Sequence, residues 1–277
     1  MNTEIGTDII TAIDLLTQGE LVAIPTETVY GLAANALNED AVLKIYAAKN
    51  RPQFNPLILH VASFEQAKQF IHTIPDEAEQ LAAAFWPGPL TMLFNKQLNV
   101  PDLVTAGSKR VAIRVPNHPL TLQLLSQLDF PVAAPSANPS GYVSPTTAQH
   151  VYEGLHDKIP YILDGGACGV GVESTIVGWN DEGEIELHRL GGTTIEQIEA
   201  VIGKKISHHK KIADNPSAPG QLKSHYATHT PLYLGKIDEM ISGFTGKKIV
   251  LINFKQYHPA VSNDQQLILS EKGSTGE

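Results

Sequence analysis

Short apolar runs and amphipathic segments alternate along most of the chain. Apolar residues that recur every three or four positions are typical of helices, whereas short runs rich in Val, Ile and Leu are typical of buried strands. This spacing predicts helices at residues 8–18, 40–48, 64–71, 76–85, 120–128 and 194–202. It predicts strands at residues 21–24, 57–61, 90–94, 111–115, 132–134, 161–163, 175–177 and 185–188. Interleaved strands and helices favour an α/β fold, a twisted mixed sheet with flanking helices.

The pattern changes after residue 203. Residues 204–230 are basic and polar and have no periodic apolar face, which predicts a linker. Beyond them, apolar runs at 232–234 and 249–252 with a helical pattern at 237–241 predict one βαβ unit. We therefore expect three parts: a first domain at 1–203, a linker at 204–230 and a small, Rossmann-like C-terminal α/β domain at 231–277.

Composition and charge narrow the class of protein. The chain has 277 residues, of which 42% are hydrophobic and 18% charged, as in folded globular proteins. The net charge of −9 argues against a protein that coats nucleic acid with a broad basic face. A single cysteine, Cys168, excludes a disulfide within the chain and a multi-cysteine zinc site. With no apolar run of membrane-spanning length and no secretory pattern at the start, we expect a cytoplasmic protein.

Four polar clusters lie at the ends of predicted elements, where α/β proteins often place ligand groups. They occupy residues 25–32, 49–52, 110–116 and 133–141. Lys49 and Arg51 suit phosphate oxygens, and Arg110 and Arg114 share one face of a strand, where two guanidinium groups would attract anions. From the residues alone, each cluster has an ordinary reading too: a helix cap, a helix-dipole partner, a solvent-facing sheet surface or a loop.

The sequences of these clusters resemble those of a known family. The segments PTETVYGLAANA, KNRP with NPL close behind, FWPGPLT, VAIRVP, AAPSANPSG and GVGVESTIV occur in this order. Together they resemble the YrdC-like domain family over Leu15 to Ile202. Further along, Ala218-Pro219-Gly220 and His225-Tyr226-Ala227 resemble the connector of the longer, two-domain members, although Thr228 stands where those members have Pro.

The resemblance implies a reaction and a set of partners. The longer members make threonylcarbamoyl-AMP from L-threonine, ATP and bicarbonate or CO2, and release pyrophosphate. A separate transferase complex then uses the product to modify tRNA. By the same resemblance, the residues that bind L-threonine are Thr26, His60, Arg114, Ala134 and Ser174. Those that bind ATP are Lys49, Arg51, Asn55, Arg110, Ser136, Asn138, Ser144, Arg189 and Tyr226, with His225 and Tyr226 in a lid.

The chemistry needs no protein nucleophile, and none is evident in the sequence. We expect catalysis by positioning and charge stabilisation through Lys49, Arg51 and Arg114. No dense carboxylate cluster offers a metal cage, so Mg²⁺ is expected to bind through the ATP phosphates. Neither membrane binding nor stable nucleic-acid binding is expected.

Three other functions compete with this reading. The chain could be an RNA-binding, translation-related module without turnover, which its charge and its lack of interleaved aromatic and basic residues disfavour. It could use another amino acid or carbamoyl donor, or it could be a silent paralogue that acts as a scaffold. Pyrophosphate release with and without L-threonine separates these functions.

Overall fold

The computed structural model describes residues 2–208, 228 and 230–273. The chain forms two compact units, Met1–Thr228 and His229–Glu277. The segment Ala218-Pro219-Gly220 and the predicted lid residues His225 and Tyr226 lie outside the described residues.

The first unit is built on eleven strands within the described residues. They are β1 (Glu4–Gly6), β2 (Val22–Ile24), β3 (Gly31–Asn35), β4 (Ile58–His60), β5 (Leu90–Asn95), β6 (Arg110–Arg114), β7 (Val132–Ala133), β8 (Tyr161–Leu163), β9 (Thr175–Trp179), β10 (Ile185–Arg189) and β11 (Ser207–His208). The helices are α1 (Ile9–Thr17), α2 (Glu39–Lys49), α3 (Phe64–Lys68), α4 (Asp76–Phe85), α5 (Asp102–Thr105), α6 (Pro119–Ser126), α7 (Ala148–Leu155) and α8 (Ile195–Ile202). Strand β11 pairs with β10, so the sheet extends into the segment expected to be linker.

The strands form one mixed sheet in the order β1-β8-β2-β3-β7-β4-β6-β5-β9-β10-β11. Strand β4 runs parallel to β6, for example, whereas β5 runs antiparallel to it. One face carries the large core beneath α2, α4, α7 and α8, with buried residues such as Ile45, Leu81, Val151 and Ile198. Helices α1 and α6 pack on the other face. The predicted α/β fold with a mixed sheet and flanking helices is confirmed.

Several helices begin at a side chain that caps their first turn. The N-cap residues that accept backbone N–H bonds are Asp8, Asn38, Ser63, Thr147 and Thr194. These bonds satisfy N–H groups that have no partner inside the helix. Among the described residues, no helix is long and apolar enough to cross a membrane.

Helices α1 and α6 cover only part of their face of the sheet. The buried cluster beneath them takes strand residues from β2, β3, β7 and β8 and none from β4, β5, β6 or β9. On those four strands, side chains that point to the same face form a small separate cluster of Ile58, Leu93, Ala112 and Ile176. This less covered half of the face becomes the floor of a cleft.

The second unit contains a small sheet. Its elements are helix α9 (Ile237–Met240) and strands β12 (Leu251–Asn253) and β13 (Gln266–Ile268), which pair in parallel. The predicted strand at 232–234 is wrong, since those residues are not part of a strand and are all exposed. The partner of β12 is instead β13, which follows it in the chain.

Candidate functional site

A cleft of about 500 Å³, including the part open to solvent, lies over the less covered half of the sheet. Residues of β3, β4, β6 and β10 and of the connecting loops line it: Thr26, Thr28, Val29, Gly31, Arg51, Ile58, His60, Arg114, Ala134, Pro135, Ser136, Glu173, Ser174 and Arg189. The wall contains three arginines, of which Arg51 and Arg114 belong to the polar clusters predicted from the sequence and Arg189 does not. Such a cleft suits a ligand with more than one anionic group.

Strand register places His60 beside Arg114 on the cleft floor. The parallel pairing of β4 and β6 aligns Ile58 with Ala112 and His60 with Arg114. Successive side chains on a strand point to opposite faces, so Ile113 and Leu59 enter the large core while their neighbours face the cleft. The alternation expected for residues 110–116 is therefore present.

Arg114 is held in the cleft by two protein groups. Its side chain is 4% exposed, its Nε donates to Gly88 O at 3.2 Å, and its Nη2 lies 2.6 Å from Glu27 Oε1. Burial lowers the pKa of Arg114, and the nearby Glu27 carboxylate opposes that shift. The guanidinium nevertheless lines the cleft, so its positive charge can attract an anionic ligand.

His60 faces the cleft as a neutral ring. Burial, and then the positive charge of Arg114, lower its pKa from the ordinary 6.5 to about 3. Its Nδ1 lies 3.3 Å from Ile58 O. A neutral ring next to a carbonyl oxygen carries its proton on that nitrogen, which leaves Nε2 as a hydrogen-bond acceptor.

Arg189 and Glu173 form a second buried ion pair that also lines the cleft. Arg189 bonds the Glu173 carboxylate through Nη1 and donates from Nε and Nη2 to Ser174 O, at 3.1 and 2.9 Å. Ser144 Oγ donates to the other Glu173 oxygen at 3.0 Å. Gly191 allows this close packing, since a Cβ there would lie 2.2 Å from Glu173 O. The network fixes Ser174 in place.

Thr26 and Thr28 shape the loop after β2. Thr26 Oγ1 donates to Val29 O at 2.6 Å and accepts from the backbone N–H groups of Thr28 and Val29, both at 3.1 Å. Its single proton is therefore already used, so in its 2.9 Å contact with Thr28 Oγ1 the donor is Thr28. Thr26 stabilises the loop and would meet a ligand through its other atoms.

Lys49 lies behind the cleft wall instead of in it. The side chain is 1% exposed, and its ammonium donates to the carbonyl oxygens of Ser136 and Asn138. Burial, helped by the charge of Arg51, lowers the pKa of Lys49 well below its ordinary value. Two of its three N–H bonds hold the loop that carries Ser136, and its expected contact with phosphate stays a prediction.

Arg51 reaches the cleft because α2 ends abruptly. Asn50 adopts the left-handed conformation with φ 51°, and this turn directs the next residue toward the cleft. Arg51 donates to Asn55 O and Pro56 O at 3.3 and 2.9 Å. Burial lowers its pKa to about 10, so the guanidinium is charged at neutral pH.

The structure brings most of the sequence-predicted residues together. Those that line the cleft are Thr26, Arg51, His60, Arg114, Ala134, Ser136, Ser174 and Arg189. Those that do not line it are Lys49, Asn55, Arg110, Asn138 and Ser144, and Tyr226 lies outside the described residues. Residues that contribute without having been assigned are Glu27, Thr28 and Glu173. The segments PTETVYGLAANA and GVGVESTIV contain all three, but no charge pattern singles them out.

Arg110 is separated from the cleft by the length of β6. It begins the strand that Arg114 ends, and its guanidinium lies 3.5 Å from Asp181 in the turn between β9 and β10. Four residues of strand span about 13 Å. The two arginines on this strand face therefore lie far apart, and the expected contact of Arg110 with ATP stays a prediction.

Family models match nearly the whole chain. The model of the Sua5–YciO–YrdC family, described as telomere recombination, matches residues 14–191. A second model, described as the C-terminal domain of threonylcarbamoyl-AMP synthase, matches residues 193–276.

Similar proteins include enzymes from archaea and bacteria. Threonylcarbamoyl-AMP synthase of Pyrococcus abyssi is 45% identical over 260 residues, which cover 89% of this chain and 76% of the relative. The enzyme of the same name from Bacillus subtilis is 50% identical over 222 residues, which cover 79% of this chain and 64% of that relative. The chain thus spans less than two thirds of the second relative's length.

Solved structures agree with these matches. The crystal structure of Pyrococcus abyssi Sua5 with L-threonine superposes with a TM-score of 0.87 and 40% identity, covering 98% of this chain and 84% of that one. Matches of this extent to a family model and to relatives carry the family assignment. The chain belongs to the Sua5–YciO–YrdC family, which includes the threonylcarbamoyl-AMP synthases.

Proposed function

We propose that this protein condenses L-threonine, bicarbonate or CO2, and ATP into threonylcarbamoyl-AMP, with release of pyrophosphate. The observation that carries the proposal is the buried trio of Arg114, His60 and Ser174 around one cleft. The similarity of this chain to a protein whose structure was solved with L-threonine supports L-threonine as the amino acid. Two further cationic side chains that line the cleft, Arg51 and Arg189, can bind the phosphates of ATP.

The amino-acid end of the cleft supplies complementary hydrogen-bonding groups. Arg114 lines the cleft with a charged guanidinium, which attracts the threonine carboxylate. Ser174 also lines the cleft and can donate to the same anion. His60 accepts from the amine or hydroxyl of the ligand through Nε2. Because burial holds the pKa of His60 at about 3, the ring positions the substrate and does not carry a proton at neutral pH.

The reaction then proceeds without a protein nucleophile. The threonine nitrogen attacks CO2, a new C–N bond forms, and the nitrogen loses a proton to solvent. A carbamate oxygen next attacks the α-phosphorus of ATP, and the bond to the pyrophosphate oxygen breaks. Arg51 and Arg189 stabilise the charge on the phosphates, and Ser136 orients them. Lys49 can reach a phosphate only through its third N–H, so its main effect is on the loop.

We place Mg²⁺ on the phosphates of ATP. Across residues 2–208, 228 and 230–273, no three His, Cys, Asp or Glu side chains are grouped so as to hold a metal ion. Both carboxylates nearest the cleft, Glu27 and Glu173, are paired with arginines. When bound with ATP, Mg²⁺ neutralises phosphate charge and polarises the α-phosphorus.

The product points to a downstream partner. A carboxylic–phosphoric anhydride hydrolyses readily in water, so we propose prompt transfer in the cytoplasm to a complex that modifies tRNA. The net charge of −9 fits an enzyme that hands over a small product more than one that holds the tRNA itself.

Pyrophosphate release tests the proposal. The protein is incubated with ATP, Mg²⁺ and bicarbonate, with L-threonine, L-serine or no amino acid, and we expect turnover that requires bicarbonate and prefers L-threonine. Ser174→Ala should raise the KM for L-threonine about tenfold, because a hydrogen bond to a charged group is lost. Ser126→Ala, at an exposed position on α6, serves as the control and should leave the KM for L-threonine and the KM for ATP unchanged.

Three results would contradict parts of the proposal. Turnover that is equal with and without L-threonine would exclude the substrate. An unchanged KM in Ser174→Ala would remove this residue from the threonine site, and salt-sensitive RNA binding without pyrophosphate release would favour the RNA-binding alternative.

A further inference from the structure

Thr91 places a buried hydroxyl against Ser174, a residue that lines the cleft, in a strand segment that is otherwise apolar. It lies in β5 among Leu90, Met92 and Leu93, and its side chain is fully buried. The antiparallel pairing of β5 with β6 aligns Met92 with Ile113, and the next step of that register sets Thr91 beside Arg114. Burying a hydroxyl costs free energy unless it is hydrogen-bonded. Its partner is therefore informative.

That partner is the hydroxyl of Ser174. The two oxygens lie 2.7 Å apart, and this is the hydrogen bond that the Thr91 side chain makes within the described residues. If Ser174 were the donor, the Thr91 proton would be buried without an acceptor among those residues. A buried donor left unsatisfied is strongly disfavoured. Thr91 is thus the donor.

Ser174 receives a second proton from the other side. Arg189 Nη2 donates to Ser174 Oγ at 3.0 Å, and an arginine can only donate. The two acceptor sites of the Ser174 oxygen are then filled by Thr91 and Arg189. Its own proton has no described acceptor in the protein, and Ser174 lines the cleft. The hydroxyl is left as a donor toward whatever the cleft holds.

We propose that Thr91 is a positioning residue that turns the Ser174 hydroxyl outward, as an obligatory donor to an anionic oxygen of the bound amino acid. This inference rests on the proposed function and names the recognition it requires, a carboxylate between Arg114 and Ser174. Thr91 contacts no substrate itself. It acts by occupying one lone pair of the Ser174 oxygen, which fixes the rotation of the Ser174 hydroxyl with its proton directed into the cleft.

Thr91→Val and Thr91→Ser separate this role from simple packing. Valine keeps the shape of threonine and removes the hydroxyl, whereas serine keeps the hydroxyl and removes the methyl group. The full-length protein is titrated with L-threonine by calorimetry, and with ATP and Mg²⁺ in parallel. We expect Thr91→Val to weaken L-threonine binding by about fivefold or more, while Thr91→Ser stays within about twofold of the original. ATP affinity should be unchanged in both.

Coupling to Ser174 completes the test. In a Ser174→Ala background, Thr91→Val should cause no further loss of L-threonine affinity, since the hydroxyl that it positions is gone. Equal losses in the Val and Ser variants would indicate packing alone and overturn the inference. So would additive losses in the double variant, or unaltered binding by Thr91→Val. If the original protein fails to bind L-threonine, the proposed function itself is wrong, which is a different result.

Discussion

His60 shows how one buried residue makes the protein sensitive to pH. Its pKa is about 3 in the folded protein, lowered first by burial and then by Arg114, against an ordinary value of 6.5. Between these two values the unfolded chain binds a proton at this position and the folded protein does not. Stability therefore falls as pH drops below 6.5, by up to about 1.4 kcal/mol per pH unit from this group.

The variant His60→Asn should remove that dependence. Urea denaturation at pH 7.0 and 5.5 gives the free energy of unfolding for both proteins, and we expect the original to lose more on acidification. The variant is less stable at pH 7, so the comparison uses the change with pH within each protein. Identical changes in the two proteins would show that the ring is already charged in the folded state.

The sequence predicts which single residues face a ligand better than it predicts which protein groups those residues contact. The segment around Arg114 was expected to face an anion, and the strand alternation that places it there is visible as Val111, Ile113 and Val115. Nothing local in the chain shows that Glu27, far away in sequence, pairs with it. Lys49 was assigned to phosphate because it is charged, but its carbonyl partners come from a loop more than 80 residues away.

At the scale of elements, Glu27 ties the loop after β2 to the end of β6. Its carboxylate lies 2.6 Å from Arg114 and accepts the backbone N–H of Asn117 at 3.0 Å. Both charged side chains are largely buried, with 4% and 13% exposure. Removing one member of such a pair leaves a buried charge without compensation.

Glu27→Gln should lower the free energy of unfolding by about 3 kcal/mol, since the amide keeps the size and loses the charge. Glu65→Gln is the matched control, because Glu65 pairs with Lys68 at the surface of α3 with 80% exposure. The free energy of unfolding of this control variant should fall by less than about 1 kcal/mol. Chemical denaturation measures both, and equal losses would mean that the Glu27–Arg114 pair contributes no more than a surface pair.

Elements were predictable where the apolar spacing was strong. Helix α4 and strand β8 have the predicted bounds, residues 76–85 and 161–163. Strand β3 was missed because Gly31–Asn35 is a run of small residues with weak strand preference, and its position between β2 and β7 makes it a strand. Helix α7 was missed although Thr147 caps it and Ala148, Val151 and Leu155 share its buried face.

At the scale of the molecule, the described residues that line the cleft all belong to the first unit. They lie between Thr26 and Arg189, and the sheet that supports them ends at β11. The composition of the chain changes after residue 203, whereas the boundary between the two compact units lies at residues 228 and 229. The C-terminal strand order could not be predicted, because a short apolar run at 232–234 looks like a strand until its partners are known.

A fragment of residues 1–208 should therefore fold by itself. We expect one cooperative unfolding transition by circular dichroism and an affinity for L-threonine within about threefold of the full chain. Turnover should fall sharply, because the fragment lacks the linker residues expected to close over the substrates. A fragment that cannot bind L-threonine would place part of the amino-acid site beyond residue 208.

The alternation of side chains along β6 has a consequence for how this gene can change. Deleting a single codon between Val111 and Ile113 would turn every later side chain of the strand over, so that Arg114 would enter the apolar core and Val115 would take its place in the cleft. In the turn at residues 180–183, side chains do not alternate between the core and the cleft, so this turn can gain or lose residues. Length variation among natural sequences should be common in such turns and come only in compensated pairs within β6.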